Sequence, residues 1–365
     1  MKPTVFVTGA TGFLGMEVLA RLLEAGDRKV VALVRATDDA AAEDRLYGVL
    51  NTLWRDPSPY QENVRAVAGD VTSPGLGLDQ TKRKALAEEV GAVLHCAASI
   101  SFDLPIEDAR AINVEGTREV IGFARECKAI GRLERFVHVS TAYVSGKYEG
   151  TFGEHQLDAG QEFRNTYERT KWEAEHVVGE AGDLAPAIAR PSIVMGESDT
   201  GWTPAFNVLY WPLRAFSRGL FDEIPSLPSA HVDIVPVDYV ADALVVLLDS
   251  DEEGVFNLVS GREAPLANEL VELACDRFDR PRPAIVEGTG ADDHGAVYLP
   301  YFDMEIVFDD SRARALLEPA GIRAPRLTDY FDRLIDYAEA VRWGKRSMKR
   351  DEAREWLAES EAAAA

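Results

Sequence analysis

Two groups of residues whose types and spacing suit acid–base chemistry stand in order along the chain. The hydroxyl pair Ser140-Thr141 follows an apolar run, and Tyr167 and Lys171 come one element later. Residues four apart share one face of a helix, so the Lys171 ammonium is expected beside the Tyr167 phenol. A phenol has a pKa of about 10, and a neighbouring cation lowers it. We therefore predict that Tyr167 gives a proton to the oxygen of a carbonyl that accepts hydride.

A second hydrogen bond to the same oxygen is expected from the hydroxyl pair, as a small oxyanion site. Side chains alternate along a strand, so only one of Ser140 and Thr141 can face the reacting atoms. We assign the catalytic role to Thr141 and place Ser140 in the cofactor site, although the pattern leaves open which of them acts. A surface Tyr-Lys pair is the ordinary explanation of this spacing, but its position after Ser140-Thr141 favours catalysis.

A glycine-rich turn near the N-terminus has the spacing of a dinucleotide site. It follows the apolar run 4–7 and opens a stretch, 13–25, with apolar residues at helical spacing. Glycine allows a tight turn and a close approach of backbone amides to a pyrophosphate, and the helix N-terminus adds partial positive charge. The predicted contacts are Gly9, Thr11, Gly12, Phe13, Leu14 and Gly15.

The end of the second apolar run indicates which nicotinamide cofactor is bound. Arg35 stands at the distance beyond Gly15 where an acidic residue would bind the ribose of NAD. An arginine there suits a 2′-phosphate, which favours NADP(H), with Arg45 as a second candidate. A solvated strand-end arginine is the alternative. The remaining predicted cofactor contacts are Asp70 and Val71 at the adenine, Ala97 and Ala98 under the pyrophosphate and the nicotinamide ribose, Lys171 at the nicotinamide ribose, and Pro191 and Ile193 after a later strand.

Alternating strands and helices are expected to position these residues. Apolar runs occur at 4–7, 30–34, 64–68, 92–96, 135–139 and 187–190, with helical stretches near 81–90, 108–130 and 165–181. The alternation predicts an α/β fold with a Rossmann-like, doubly wound parallel sheet. Two later runs, 232–237 and 255–259, are expected to return to this sheet. We predict an NADP-binding core over 1–195 and 233–260, and a smaller helical substrate-binding cap over 196–232 and 261–365.

Composition excludes several functional classes. The chain has 365 residues, of which 46% are apolar, so a disordered chain is excluded. Its net charge of -23 provides no basic excess for nucleic acid. The three widely separated cysteines predict neither a disulfide framework nor a metal site. We expect a cytoplasmic protein with no signal peptide and no transmembrane segment, since no apolar run reaches roughly 18 residues.

The order of these motifs resembles the extended short-chain dehydrogenase/reductase family over essentially the whole chain. Within that family the sequence is most similar to fatty acyl-CoA and carrier-bound thioester reductases. The closer likeness rests on Gly69-Asp70 followed by Leu76-Gly77-Leu78, on 95–102 and on 138–144, and Gly201-Trp202 strengthens it. The resemblance implies NADPH-dependent reduction of an acyl-CoA or acyl-carrier-protein thioester to an aldehyde, or further to an alcohol. It also implies that Tyr167 and Thr141 stabilise the oxyanion.

Two other segments bear on the substrate. The segment 202–221 places apolar side chains at helical spacing, which suits either an acyl chain or an ordinary core: Phe206, Leu209, Leu213, Phe216 and Leu220, with Trp202, Tyr210 and Trp211 beside them. The run 342–350 is strongly basic. A solvated helix end is its ordinary meaning, and contact with CoA, a carrier protein or, weakly, a membrane surface is the alternative.

Other activities of the same family remain alternatives. One is an NADP-dependent 3β-hydroxysteroid or hydroxyacyl dehydrogenase. Another is a nucleotide-sugar-modifying enzyme, which would retain NAD and is disfavoured by Arg35. A cofactor-sensing module without turnover would not need Thr141, Tyr167 and Lys171 together. The residues leave open the acyl chain length, CoA versus carrier protein, aldehyde versus alcohol, and the oligomeric state.

Overall fold

A computed structural model gives the bounds of the strands and helices. It describes residues 1–206, 209–221, 223–225, 227, 229–286 and 299–364, so the other residues of the predicted cap lie outside the described part. The strands are β1 Thr4–Thr8, β2 Val30–Val34, β3 Val64–Ala68, β4 Val90–His95, β5 Arg135–Val139, β6 Gly150–Phe152, β7 Ala187–Pro191, β8 Ile193–Met195, β9 Glu223–Pro225, β10 Ile234–Pro236, β11 Gly254–Leu258, β12 Ala284–Val286 and β13 Ile306–Phe308.

The helices follow the strands in the alternation that the sequence predicts. They are α1 Phe13–Ala25, α2 Asp39–Leu53, α3 Ser58–Gln61, α4 Gln80–Glu89, α5 Ile106–Arg110, α6 Gly116–Ala129, α7 Thr166–Gly179, α8 Tyr210–Ser217, α9 Val237–Asp249, α10 Ala267–Phe278, α11 Ser311–Leu317, α12 Leu327–Ala340 and α13 Arg350–Ala364. No helix of the described ranges combines the length and the apolar character that crossing a bilayer requires.

A seven-stranded parallel sheet in the order β11-β7-β5-β4-β1-β2-β3 forms the centre of the molecule. Its five inner strands are buried on both faces, as expected for an all-parallel sheet. In β1, Val5 and Val7 pack into the layer that contains α1 and α9. Phe6 faces the opposite layer, where it packs among residues of α4, α6 and α7. The Rossmann-like α/β fold predicted from the sequence is therefore confirmed.

The two later apolar runs behave differently from each other. The run predicted at 255–259 forms β11, which pairs with β7 at the edge of the main sheet. The run predicted at 232–237 was expected in the same sheet, and this was wrong, because β10 pairs in parallel with β8 instead. The chain leaves the main sheet at Ser192, and the next amide, that of Ile193, donates to the carbonyl of Asp233 at 3.2 Å. The resulting β8–β10 ladder is separate from the seven-stranded sheet.

The C-terminal helix α13 is anchored to α1 by a buried ion cluster. The Arg350 guanidinium is 1% exposed and donates to Glu17 of α1 at 3.1 Å and to Glu197 at 2.6 Å. It also donates to Glu24 at 2.7 Å. Arg350 closes the basic run for which the sequence favoured a solvated helix end. That expectation does not hold for Arg350, because its guanidinium is buried and paired with three carboxylates.

Candidate active site

The glycine turn forms between β1 and α1 with the geometry that the motif predicts. Gly9 has a φ of 79°, and the Gly12 amide donates to the Gly9 carbonyl at 2.9 Å. A Cβ on Gly15 would lie 2.1 Å from the Gly9 carbonyl oxygen, and one on Gly9 would lie 2.7 Å from the amide nitrogen of Ala97. The glycines therefore let the turn pack directly on its neighbours at the carboxyl end of the sheet.

A cleft of about 700 Å³ joins this turn to the predicted reacting groups. Its volume lies within the range usual for small-molecule sites, roughly 300–1,000 Å³. Thr141, Tyr167 and Lys171 all contribute to its walls, although Thr141 follows β5 and the other two lie on α7. The predicted cofactor residues that line the same cleft are Gly9, Gly12, Phe13, Leu14, Gly15, Ala98, Ser140, Pro191 and Ile193.

Lys171 is held in a fixed orientation at the floor of this cleft. It is 2% exposed, and its Nζ donates to the carbonyl oxygen of Val139 at 2.8 Å. Burial lowers the pKa of Lys171 to about 8, while Glu175 and Cys96 favour the charged form. Since an ammonium has three N–H donors, it can bind the β5 backbone and still face the cleft.

The pKa of Tyr167 departs from the sequence-based expectation. Burial raises it to about 12, and a hydrogen bond with the side chain of Thr141 works in the opposite direction. The predicted lowering by Lys171 is not among the causes of the shift, because the desolvation of the phenol outweighs the other effects. A phenol with this pKa stays protonated at neutral pH, which is the form that can donate a proton to a carbonyl oxygen.

The two adjacent hydroxyls both reach the cleft but differ in their contacts. The Thr141 hydroxyl donates to the carbonyl oxygen of Pro191 at 3.3 Å and accepts from the Tyr143 amide at 3.3 Å, and its interaction with the Tyr167 phenol lowers the pKa of that phenol. Ser140 is 3% exposed, and its Oγ finds no hydrogen-bond partner among the described residues. The position of Thr141 beside the phenol keeps it the candidate for the second donor, which requires its hydroxyl proton to turn from the Pro191 carbonyl to the substrate oxygen. Ser140 retains a hydroxyl that can bind a ligand.

A π-helical turn, Ala111–Glu115, supports the wall of the cleft that follows β4. The sequence predicted one regular helix at 108–130, and the π turn interrupts it. Asn113 lies in this turn, and its side chain forms hydrogen bonds with the loop after β4 and with α7. Its Oδ1 accepts from the Ser99 amide at 2.8 Å, and its Nδ2 donates to Thr170 of α7 at 2.9 Å. Asn113 thereby fixes the loop after β4 against the helix that carries Tyr167 and Lys171.

Five of the predicted cofactor residues lie outside the lining of this cleft. Ala97 packs under Gly9, with its amide donating to Thr8 Oγ1 at 3.2 Å. Arg35 follows β2 and is exposed, and its carbonyl accepts a hydrogen bond from Arg45. The others are Thr11, Asp70 and Val71. These five residues stay predictions for the cofactor site.

The structure adds cleft residues to which the sequence assigned no role. An aromatic wall stands over Tyr167, with Phe102 at 5.8 Å between ring centroids and Tyr301 at 5.5 Å from Phe102. Tyr143 lies edge-on to Tyr301 at 4.8 Å. Phe102 and Tyr143 belong to the motifs that carry the family resemblance, so a signal for them existed. Tyr301 comes from a single turn far beyond Tyr167 in the chain, and no sequence pattern marks it.

The residues present fit a nicotinamide dinucleotide. At Gly12 a Cβ would meet only the Gly9 carbonyl oxygen, at 3.4 Å, so the backbone there is open to a ligand. The first amides of α1 lack intrahelical acceptors and suit a pyrophosphate. The buried Ser140 hydroxyl and the Lys171 ammonium, both lining the cleft, offer donors to a ribose.

Known proteins are similar to this chain in sequence and in fold. A family model of NAD-binding proteins described as Male sterility protein matches residues 7–244. Fatty acyl-CoA reductase 1 of Homo sapiens is 32% identical over 274 residues, which cover 65% of this chain and 53% of that protein. The L-2-aminoadipate reductase large subunit of Penicillium chrysogenum is 31% identical over 67% of this chain and 18% of its own length. The chain spans about half the length of the fatty acyl-CoA reductases that it matches.

Solved structures show the same architecture over nearly the whole chain. The terminal R domain from the myxalamid PKS-NRPS biosynthetic pathway superposes with a TM-score of 0.80 at 25% identity, covering 93% of this chain and 91% of that one. UDP-glucuronic acid 4-epimerase from Bacillus cereus, in complex with NAD, has a TM-score of 0.67 at 18% identity over 93% and 99%. The second likeness is one of fold alone. The chain belongs to the NAD-binding Male sterility protein family of extended short-chain dehydrogenases/reductases.

Proposed function

We propose that this protein is an NADPH-dependent reductase of fatty acyl thioesters, producing the aldehyde or, after a second reduction, the alcohol. The observation that carries the proposal is the single cleft that joins the glycine turn to Thr141, Tyr167 and Lys171. The relatives named as fatty acyl-CoA reductases support an acyl-CoA substrate. A neighbour described as a thiolation-reductase di-domain supports a carrier-bound one.

The chemistry assigned to the chain's own residues is the stabilisation and protonation of an oxyanion. The reduced nicotinamide supplies hydride when it is bound. Thr141 and Tyr167 donate hydrogen bonds to the carbonyl oxygen of the thioester, and Tyr167 passes its proton to that oxygen. Lys171 stabilises the phenolate that is left. The resulting thiohemiacetal breaks its carbon–sulfur bond and releases the aldehyde and the thiol.

Arg35 supports NADP(H) over NAD(H). Its guanidinium makes neither a hydrogen bond nor an ion pair with the described residues, so it is available to a 2′-phosphate. We expect Arg35→Gln to weaken NADPH binding about 20-fold, the effect of losing a charge-assisted hydrogen bond, and to leave NADH affinity unchanged. Fluorescence titration with both cofactors measures this.

Arg132→Gln is the matched control for this substitution. Arg132 is also exposed, but it precedes β5 at the amino ends of the strands, whereas Arg35 follows the carboxyl end of β2. Arg132→Gln should change neither affinity. An equal loss of NADH and NADPH affinity in Arg35→Gln would contradict the assignment to a 2′-phosphate.

The acyl chain is assigned to the apolar side of the cleft. The apolar side chains predicted at helical spacing in the segment 202–221 fall into two groups in the structure. Leu209, Leu213 and Phe216 line a narrow apolar cavity of about 60 Å³ against α10, whereas Leu220 is 67% exposed. Phe302 lines this cavity and its neighbour Tyr301 lines the cleft. An acyl chain that leaves the cleft past this pair of aromatic residues would meet the apolar cavity.

The basic turn Arg342, Lys345 and Arg346 is the proposed contact for an acidic thioester carrier. All three side chains are exposed and form no ion pair with described residues. We expect the triple substitution Arg342→Gln, Lys345→Gln and Arg346→Gln to raise KM for acyl-CoA about tenfold, since exposed charge interactions are each worth about 0.5 kcal/mol. kcat should stay unchanged. Steady-state kinetics at low salt measures both constants.

The control separates local contact from total charge. Replacing three other exposed basic residues by Gln, at Lys84, Arg132 and Arg262, changes the net charge equally. It should leave KM unchanged, and an uncharged N-acetylcysteamine thioester should be insensitive to either triple substitution. Equal KM increases in the two triple variants would contradict a contact at the basic turn.

The proposed activity is tested by comparing substrate classes. We expect NADPH oxidation with long-chain acyl-CoA, accompanied by release of free CoA. Oxidation with a sterol or a ketone but not with acyl-CoA would instead favour the hydroxysteroid or hydroxyacyl dehydrogenase alternative. Conversion of a nucleotide sugar without net cofactor oxidation would favour a nucleotide-sugar-modifying enzyme.

A further inference from the structure

A pair of histidines is buried behind the cleft, on the side of Lys171 that faces the sheet. His95 of β4 and His138 of β5 are register partners in the parallel sheet, and their ring centroids are 5.2 Å apart. His95 is 1% exposed and His138 0%. Neither has a part in the chemistry proposed above.

The two rings differ in how their nitrogens are satisfied. His95 has a partner on each side, Thr8 Oγ1 at 2.8 Å from Nδ1 and Thr117 Oγ1 at 3.0 Å from Nε2. His138 has its Nε2 at 3.4 Å from Nζ of Lys171, while its Nδ1 finds no partner among the described residues. His95 is therefore anchored by the protein, and Lys171 is the polar contact of His138.

The charge state of His138 fixes the direction of this contact. Burial and the nearby Lys171 ammonium lower the pKa of His138 well below its usual value, so the ring is neutral. An ammonium can only donate, so Nε2 accepts and the ring proton lies on Nδ1. The Nδ1–H of His138 is buried without an acceptor among the described residues, which costs about 1–3 kcal/mol. Packing alone therefore does not explain a histidine at this position.

The contact also limits the orientation of Lys171. One N–H of the ammonium points to the carbonyl of Val139 at 2.8 Å and a second to Nε2 of His138. The third remains for the cleft, which Lys171 lines. The other titratable groups that influence Lys171 or stand near it are Cys96 after β4, Tyr167 and Glu175 on α7, and His95 on β4.

We propose that His138 is a positioning residue of the active site, which accepts a hydrogen bond from Lys171 and so directs the third N–H of the ammonium into the cleft. The proposal rests on the proposed function for the role of Lys171. Its contact geometry does not depend on which carbonyl compound is reduced. Removing the acceptor disfavours the charged form of Lys171.

Two pairs of substitutions test this proposal on the full chain. His138→Gln can place an amide oxygen near the position of Nε2 and keep the acceptor, whereas His138→Phe fills the volume without one. His138→Asn is a second acceptor-free variant, since its shorter amide reaches only the position of Nδ1. His95→Gln is the control for a change at the neighbouring ring.

The readouts are the pKa of Lys171, followed by ¹³C NMR of labelled lysine, and the NADPH dissociation constant as a function of pH. Loss of a hydrogen bond to a charged group should lower the Lys171 pKa by about one unit in His138→Phe and His138→Asn. NADPH affinity should then begin to fall at a pH about one unit lower than in the wild type. His138→Gln and His95→Gln should keep the wild-type profile.

The outcomes separate positioning from packing. An unchanged Lys171 pKa in whichever acceptor-free variant folds would overturn the proposal, as would an equal shift in His138→Gln. Neither readout involves a thioester. Failure of acyl-CoA reduction would therefore count against the proposed function and leave the result for His138 intact.

Discussion

Tyr167→Phe is expected to lower kcat for acyl-CoA reduction about 1,000-fold, within the range typical for loss of a general acid. The substitution removes one oxygen from a phenol that lines the cleft and hydrogen-bonds with Thr141. NADPH binding should persist, because the glycine turn and Lys171 are untouched. Stopped-flow measurement of NADPH oxidation, together with a binding titration, separates these two effects.

Tyr143→Phe is the matched control for this substitution. Tyr143 lines the same cleft, but its hydroxyl donates to the carbonyl of Asp233 at 3.4 Å. Its loss should change kcat less than about threefold. Undiminished turnover in Tyr167→Phe would refute the assigned role.

Gly15→Ala is expected to weaken NADPH binding about 100-fold and to lower the free energy of unfolding by about 1–3 kcal/mol. The new Cβ would lie 2.1 Å from the Gly9 carbonyl oxygen and 2.7 Å from the Gly9 carbonyl carbon. Both atoms are backbone, so the turn must move as a whole and its amides lose their alignment. Denaturant unfolding and fluorescence titration measure the two effects.

Gly48→Ala is the control for Gly15→Ala, because Gly48 has room for a Cβ. Gly48 is exposed in the middle of α2, and a Cβ there meets no heavy atom within 4 Å. Alanine should raise the free energy of unfolding by about 0.5–1 kcal/mol and leave NADPH affinity unchanged. Wild-type NADPH affinity in Gly15→Ala would contradict the need for close packing at the turn.

Elements with a strong local signal were predicted well from the sequence. The helix expected over 13–25 is α1, and Gly26 ends it in the left-handed conformation with a φ of 64°. The strands expected at 30–34, 64–68 and 135–139 match β2, β3 and β5. Short apolar runs bounded by turn residues carry this information locally, because a parallel strand is buried on both faces wherever it lies.

Features that depend on distant partners could not be predicted in the same way. The pairing of β10 with β8 depends on where the chain leaves the main sheet at Ser192. The burial of Arg350 depends on Glu17, which lies near the opposite end of the chain. The pKa of Tyr167 depends on how deeply the phenol is buried, and the four-residue spacing to Lys171 does not encode this.

The transfer of deuterium from 4-deuterated NADPH to the acyl carbon tests the central claim most directly. The enzyme is incubated with a long-chain acyl-CoA and the labelled cofactor, and mass spectrometry examines the released product alongside free CoA. We predict one thiol released for each acyl group reduced, with deuterium on the carbon that was the thioester carbonyl. Two results would contradict this claim. One is release of the thiol together with an unlabelled carboxylic acid, and the other is oxidation of the cofactor while the thioester stays intact.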